Sequence, residues 1–174
     1  MRHALSHHFL RDKNEWKFIE HADSPPVISN LPENTFISLS HSDGLICFAI
    51  SGSPIGIDVE VANKQRDFLA LARTIMNDDE FDYYVQNAST QTDLFYRMWC
   101  AKEAYYKALP TFEQAATSLN KIFFPALFEN QDNWFLLEGK IGHLVLAVVI
   151  KNHPEKINYN YYLTPNNSTI VTWN

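Results

Sequence analysis

Residues 54–60 read Pro54-Ile55-Gly56-Ile57-Asp58-Val59-Glu60. From Ile55 on, apolar β-branched residues alternate with Gly, Asp and Glu, which is the period of a strand. Residues two apart on a strand face the same side, so Asp58 and Glu60 point together. Two carboxylates that close repel each other unless a cation or a proton intervenes. A solvated face at a sheet edge accounts for them. So does a divalent-metal site, whose hard oxygen ligands would suit magnesium.

On the amino-terminal side, 36–39 and 45–51 also read as strands, with Asp43-Gly44 and Gly52-Ser53-Pro54 as turns. Residues 1–11 read as a short helix. The polar stretch 12–34, broken by Pro25, Pro26 and Pro32, reads as loop with a short extended piece at 16–19. On the carboxyl side the period becomes helical over 65–76, 78–85 and 92–109. Asn77 is placed to cap the second of these helices, and Pro110 stops the third. Strands return at 121–124, 133–138, 141–151 and 158–163, with a turn at Gly139. Strands, then clustered helices, then strands predict an α+β fold rather than regular βαβ alternation.

The 174 residues suit one domain or two small halves, and 46% apolar with 14% aromatic content supplies a real core. Fourteen Lys and Arg against 20 Asp and Glu leave a net charge of −6, which argues against nucleic acid as a partner. The apolar run 144–150 is far shorter than the roughly 20 residues of a membrane helix, and the amino end has no apolar signal core. No membrane association and a cytoplasmic location are therefore expected. Cys47 and Cys100, in apolar contexts, read as packing residues.

Further candidates lie on both sides of the opening stretch. Trp99, Glu103 and Lys107 are spaced four apart and share one helix face. That is either an ordinary Glu–Lys pair beside a packing Trp, or a third metal carboxylate beside a phosphate-binding lysine. Ser40-His41-Ser42 ends a strand, where His41 is a surface residue or a donor to a phosphate oxygen. In Asn77-Asp78-Asp79-Glu80 the acids complement a helix N-terminus. His3 and His7 lack the companions of a zinc site, and the Gly-rich nucleotide motifs are absent from the sequence.

Together these pieces resemble the 4′-phosphopantetheinyl transferases of the surfactin-synthetase-activating type. The family carries a G-[IV]-D element followed at a distance by [FW]-[SCT]-x-K-E-[AS]-x-x-K. Gly56-Ile57-Asp58 is followed here, after 40 residues, by Trp99-Cys100-Ala101-Lys102-Glu103-Ala104-Tyr105-Tyr106-Lys107. A Ser-His-Ser also precedes the family's metal motif, as Ser40-His41-Ser42 does here. The likeness is good over residues 36–109 and looser elsewhere.

The resemblance implies that fold, a mixed or antiparallel sheet with a long motif helix. Residues 1–52 would be an amino-terminal half whose first pseudo-repeat is truncated, and 53–174 the half that bears both motifs. It also implies magnesium held by Asp58, Glu60 and Glu103, with coenzyme A as substrate. Lys107 and Lys102 would offset phosphate charge, and Ser40 and His41 would line the cofactor site. Glu103 or Glu80, directly or through water, would take the proton of the attacking serine. That serine would belong to an acyl or peptidyl carrier protein of fatty-acid, polyketide or peptide synthesis. A non-catalytic module that docks carrier protein or coenzyme A is the alternative. The family's Gly-Lys-Pro is replaced by Ser24-Pro25-Pro26, so Arg2 becomes the basic candidate for the 3′-phosphate. A shortened chain would also expose an edge or apolar patch and self-associate.

Overall fold

In a computed structural model, residues 1–21, 24–62, 66–154 and 172–173 are described. The chain order is α1 (Arg2–Phe9), β1 (Phe18–His21), β2 (Ser24–Ile28), β3 (Phe36–Ser42), β4 (Leu45–Ser51) and β5 (Ile55–Val61). Then come α2 (Phe68–Ile75), α3 (Asp78–Gln86), α4 (Gln91–Ala108), α5 (Thr111–Gln114) and α6 (Phe124–Phe128). The strands β6 (Trp134–Ile141), β7 (Leu144–Lys151) and β8 (Thr172–Trp173) follow. The class is α+β, as the order of periods implied.

Among the described residues all pairing is antiparallel, in three sheets: β1–β2, β3–β4 and a four-stranded β5–β7–β6–β8. Cross-strand partners set what each face carries. Gly56, Asp58 and Glu60 lie opposite Val149, Ala147 and Val145, on the face covered by α4. Ile57, Val59 and Val61 turn the other way, into an apolar cluster with Cys47, Leu144 and Leu146. Strand β5 is therefore buried on both faces rather than lying at a solvated edge. A third cluster joins Leu5, Trp16 and Ile28 to Ile37, Phe48 and Ile50 of the β3–β4 hairpin.

The free edge of β5 is closed by side chains instead of a ladder. The Ile57 and Val59 N–H groups donate to the hydroxyls of Ser38 (3.0 Å) and Ser40 (3.2 Å) on β3. Ser38, Ser40 and Ser42 are buried while His41 between them is exposed, an inversion of the usual apolar-in alternation. Hydroxyls on an inner face persist only when backbone groups satisfy them.

Several boundaries follow local chemistry. Asp43 and Gly44 take positive φ (48° and 78°) at the β3–β4 turn, and Asn77 caps α3 with a full capping box. Asp67 caps α2, which begins three residues later than periodicity suggests. Three expectations are corrected. The stretch 121–124 is not a strand: a 3₁₀ turn leads into α6, with Pro125 in its first turn. Strand β6 runs through Gly139, and the chain reverses at Gly142 (φ 58°). The polar stretch 12–34 contains the β1–β2 hairpin: Pro25 and Pro26 fall in β2 where its register with β1 is irregular, and Pro32 lies in the loop beyond it. The strand expected at 158–163 lies outside the described residues. No helix among the described residues is long and apolar enough to cross a membrane.

Candidate functional site

The site forms where α4 crosses β5, and Gly56 sets how closely they approach. A Cβ on Gly56 would stand 1.8 Å from the Ala104 carbonyl oxygen and 2.8 Å from the Ala108 nitrogen. Only glycine fits against helix backbone at that range, and small residues at 104 and 108 keep the helix down. The contact brings the Trp99–Glu103–Lys107 face of α4 over the Asp58–Glu60 face of β5.

Lys107 Nζ donates to Asp58 Oδ1 at 2.7 Å and reaches Ser40 Oγ at 3.3 Å and the Ile57 carbonyl at 3.4 Å. The Ser40 hydroxyl also donates to Asp58 Oδ1 at 2.9 Å. Asp58 Oδ2, in contrast, is buried with no hydrogen-bond partner among the described residues. Burial raises the Glu103 carboxyl above its ordinary 4.5; Asp58 adds to the rise, Lys107 opposes it, and Glu60 adds a little more. The three carboxylates therefore share one electrostatic environment, although no group of three or more His, Cys, Asp and Glu among the described residues is already gathered around a cation position. Asp58 Oδ1 is turned to Lys107, and Glu60 Oε2 meets Arg66 Nη2 at 3.4 Å. A buried carboxylate oxygen without a donor, next to two more acids, fits a hard divalent cation better than any neutral ligand.

Lys102 and Glu80 do not belong to this site. Lys102 is fully buried, and its Nζ donates to Glu80 Oε2, to the Ile75 carbonyl (2.8 Å) and to the Leu119 carbonyl (3.2 Å). Glu80 accepts further bonds from the Asn77 (3.0 Å) and Phe124 (2.7 Å) backbone nitrogens. Every strong valence of the pair is used inside the protein, so the structure brings neither Lys102 nor Glu80 to the Asp58 face. Lys102 sits one residue from Glu103, about 100° round the helix, and so faces α2 and α3 instead.

Arg2 is also engaged elsewhere. Its Nη1 donates to the Lys13 and Trp16 carbonyls and its guanidinium lies 4.4 Å from the Phe18 ring centre, closing the amino-terminal cluster. Ser40 is in the site; His41, one residue on, projects to solvent from the opposite face of β3. Burial pushes the Cys47 thiol up to about 11 and raises Cys100 well above its usual value, which disfavours the thiolate of both. Sequence reasoning missed Ser38 and Arg66. The alternation Ser38-x-Ser40-x-Ser42 carried a signal for the first; Arg66 had none, because a loop delivers it.

The family model of the 4′-phosphopantetheinyl transferase superfamily matches residues 54–149. Among curated proteins, the 4′-phosphopantetheinyl transferase Sfp of Bacillus subtilis is 31% identical over 108 residues, covering 62% of this chain and 47% of its own length. The transferase psf-1 of Bacillus pumilus is 32% identical over 108 residues, covering 62% and 45%. The transferase gsp of Aneurinibacillus migulanus is 32% identical over 73 residues, covering 41% and 30%. The chain spans about half the length of the curated relatives it matches. The matched interval 54–149 contains β5 and α4 whole, and with them Asp58, Glu60, Glu103 and Lys107.

Proposed function

The chain belongs to the 4′-phosphopantetheinyl transferase superfamily, and we propose that it moves the 4′-phosphopantetheine group of coenzyme A onto a serine of an acyl or peptidyl carrier protein. The observation that carries this is the unpartnered Oδ2 of Asp58, set beside Glu60, Glu103 and Lys107 where β5 meets α4. Magnesium held by Asp58, Glu60 and Glu103 would supply positive charge against the diphosphate. Lys107, with its side chain 31% exposed, can turn from Asp58 to a phosphate oxygen as a mobile point charge. Ser40 steadies Asp58 during that exchange, whereas His41, exposed on the opposite face of β3, is given no part in it. With Glu80 committed to Lys102, Glu103 is the carboxylate left to take the serine proton, directly or through water. The serine oxygen attacks the phosphorus bearing pantetheine, the diphosphate bridge breaks there, and adenosine 3′,5′-bisphosphate leaves. Catalysis is then chiefly positioning and charge stabilisation, in the cytoplasm where carrier proteins are made.

The test is to incubate the protein with coenzyme A, magnesium and an apo carrier protein, then weigh the carrier by mass spectrometry. The carrier is expected to gain one phosphopantetheine, and Asp58→Ala to slow the gain by roughly 10²–10³-fold with the fold intact. A carrier that binds the wild-type protein but never gains mass would replace this activity with a docking function.

A further inference from the structure

Two arginine–glutamate pairs in this protein are built differently. Arg97 grips Glu138 with a fork, Nε at 2.9 Å and Nη2 at 2.8 Å, which pins α4 to β6. Arg66 meets Glu60 through one bond of 3.4 Å, at the outer limit of hydrogen-bond length. The Arg66 guanidinium is nonetheless held in place, 5.6 Å from the Trp99 ring centre and 5.9 Å from that of Tyr96. Two aromatic faces of α4 therefore give the guanidinium contacts that do not involve the carboxylate. A bidentate pair is a permanent tie, whereas a single long contact to an independently anchored cation is cheap to break.

We propose that Arg66 is an exchangeable counter-ion of Glu60: it contacts this carboxylate in the metal-free protein and yields it when a divalent cation reaches Asp58 and Glu103. The assignment rests on the metal role given above to the three carboxylates. Arg66 acts through Glu60 and is a positioning residue. Its consequence is a competition, because a cation arriving at Glu60 must displace a guanidinium already there. Trp99 reports the exchange, since the guanidinium loses its carboxylate partner while seated on that ring.

The experiment titrates Mn2+ into wild type, Arg66→Gln, Arg66→Lys and Asp58→Ala without coenzyme A, following free Mn2+ by electron paramagnetic resonance. Mg2+ is titrated in parallel with tryptophan emission as the readout and Trp99→Phe to identify the signal. Arg66→Gln is expected to bind Mn2+ at least fivefold more tightly than wild type, and Arg66→Lys to stay within twofold of it. Mg2+ is expected to change Trp99 emission in the wild-type protein. Asp58-dependent binding of equal or lower affinity in Arg66→Gln overturns the inference and leaves the metal site standing. Should Arg66→Gln not fold, an unchanged Trp99 emission on Mg2+ binding to wild type overturns it equally. Absence of Asp58-dependent binding in every protein overturns the metal site and this inference together.

Discussion

Lys102 and Lys107 lie five residues apart on α4, each paired with a carboxylate, and the protein treats them as opposites. Lys102 is wholly buried against Glu80, and four further bonds to backbone groups consume what the two side chains can donate and accept. Lys107 is 31% exposed, its Asp58 partner is 6% exposed, and that partner keeps one buried oxygen with no donor among the described residues. The first pair ties α2, α3 and α6 to the motif helix; the second leaves one carboxylate oxygen without a partner among the described residues. Identical charge chemistry is spent within the fold where its valences are closed and stays exchangeable where one is left open.

The contrast is broken most directly at Glu80. Glu80→Ala leaves Lys102 buried without its partner and is expected to cost about 3–5 kcal/mol in urea unfolding, with Glu80→Gln/Lys102→Met recovering most of it. Asp58→Ala is expected to change stability by no more than about 1 kcal/mol, because Lys107 can turn to water. Equal losses from the two substitutions would erase the distinction. Next in size is Gly56→Ala, which sets a methyl group on the Ala104 backbone rather than on a yielding side chain. It is expected to cost about 3 kcal/mol, the upper end for overpacking, and to lower transfer because α4 lifts from β5. Retained stability would mean that the helix does not rest on that glycine.

Lys107→Ala tests the open pair from the ligand's side. Losing a charge-assisted phosphate contact is expected to weaken coenzyme A binding by about 1.5–3 kcal/mol in calorimetry, with little change in unfolding free energy. A stability loss with unchanged affinity would make Lys107 a second Lys102. The smallest effect concerns Glu103, whose carboxyl is held above 4.5 chiefly by burial and Asp58. The folded state binds that proton more tightly than the unfolded chain does. Its ionisation therefore costs stability above the raised value, a cost that shrinks as pH falls through it and is gone below 4.5. Glu103→Gln is expected to raise the melting temperature of the metal-free protein slightly at neutral pH. That gain should vanish near pH 4 and shrink when magnesium is added to both proteins.

Much of the framework is legible locally. The Asp43-Gly44 turn, the Asn77 cap and the stop at Pro110 each depend on the conformational limits of one or two residues. The strand face of Asp58 and Glu60 and the helix face of Trp99, Glu103 and Lys107 follow from fixed periods of two and 3.6. Stretch 121–124 was less legible, because Phe123, Phe124 and Ile122 suit a strand or a buried turn equally. A reversal at Gly142 rather than Gly139 is likewise a matter of register, decided by β7 pairing along the whole length of β6.

What the sequence determined by itself, then, was the central strands and the motif helix, the α+β class and which side chains share a face, since these depend on neighbours within a few positions. The tertiary structure decided which charges are used up. The carbonyls of Ile75 and Leu119 that bury Lys102, the hydroxyl of Ser40 on Asp58 and the guanidinium of Arg66 at Glu60 all come from other elements or loops. Hydrogen-bond satisfaction is a property of the packed whole, because a donor and its acceptor need be close only in space.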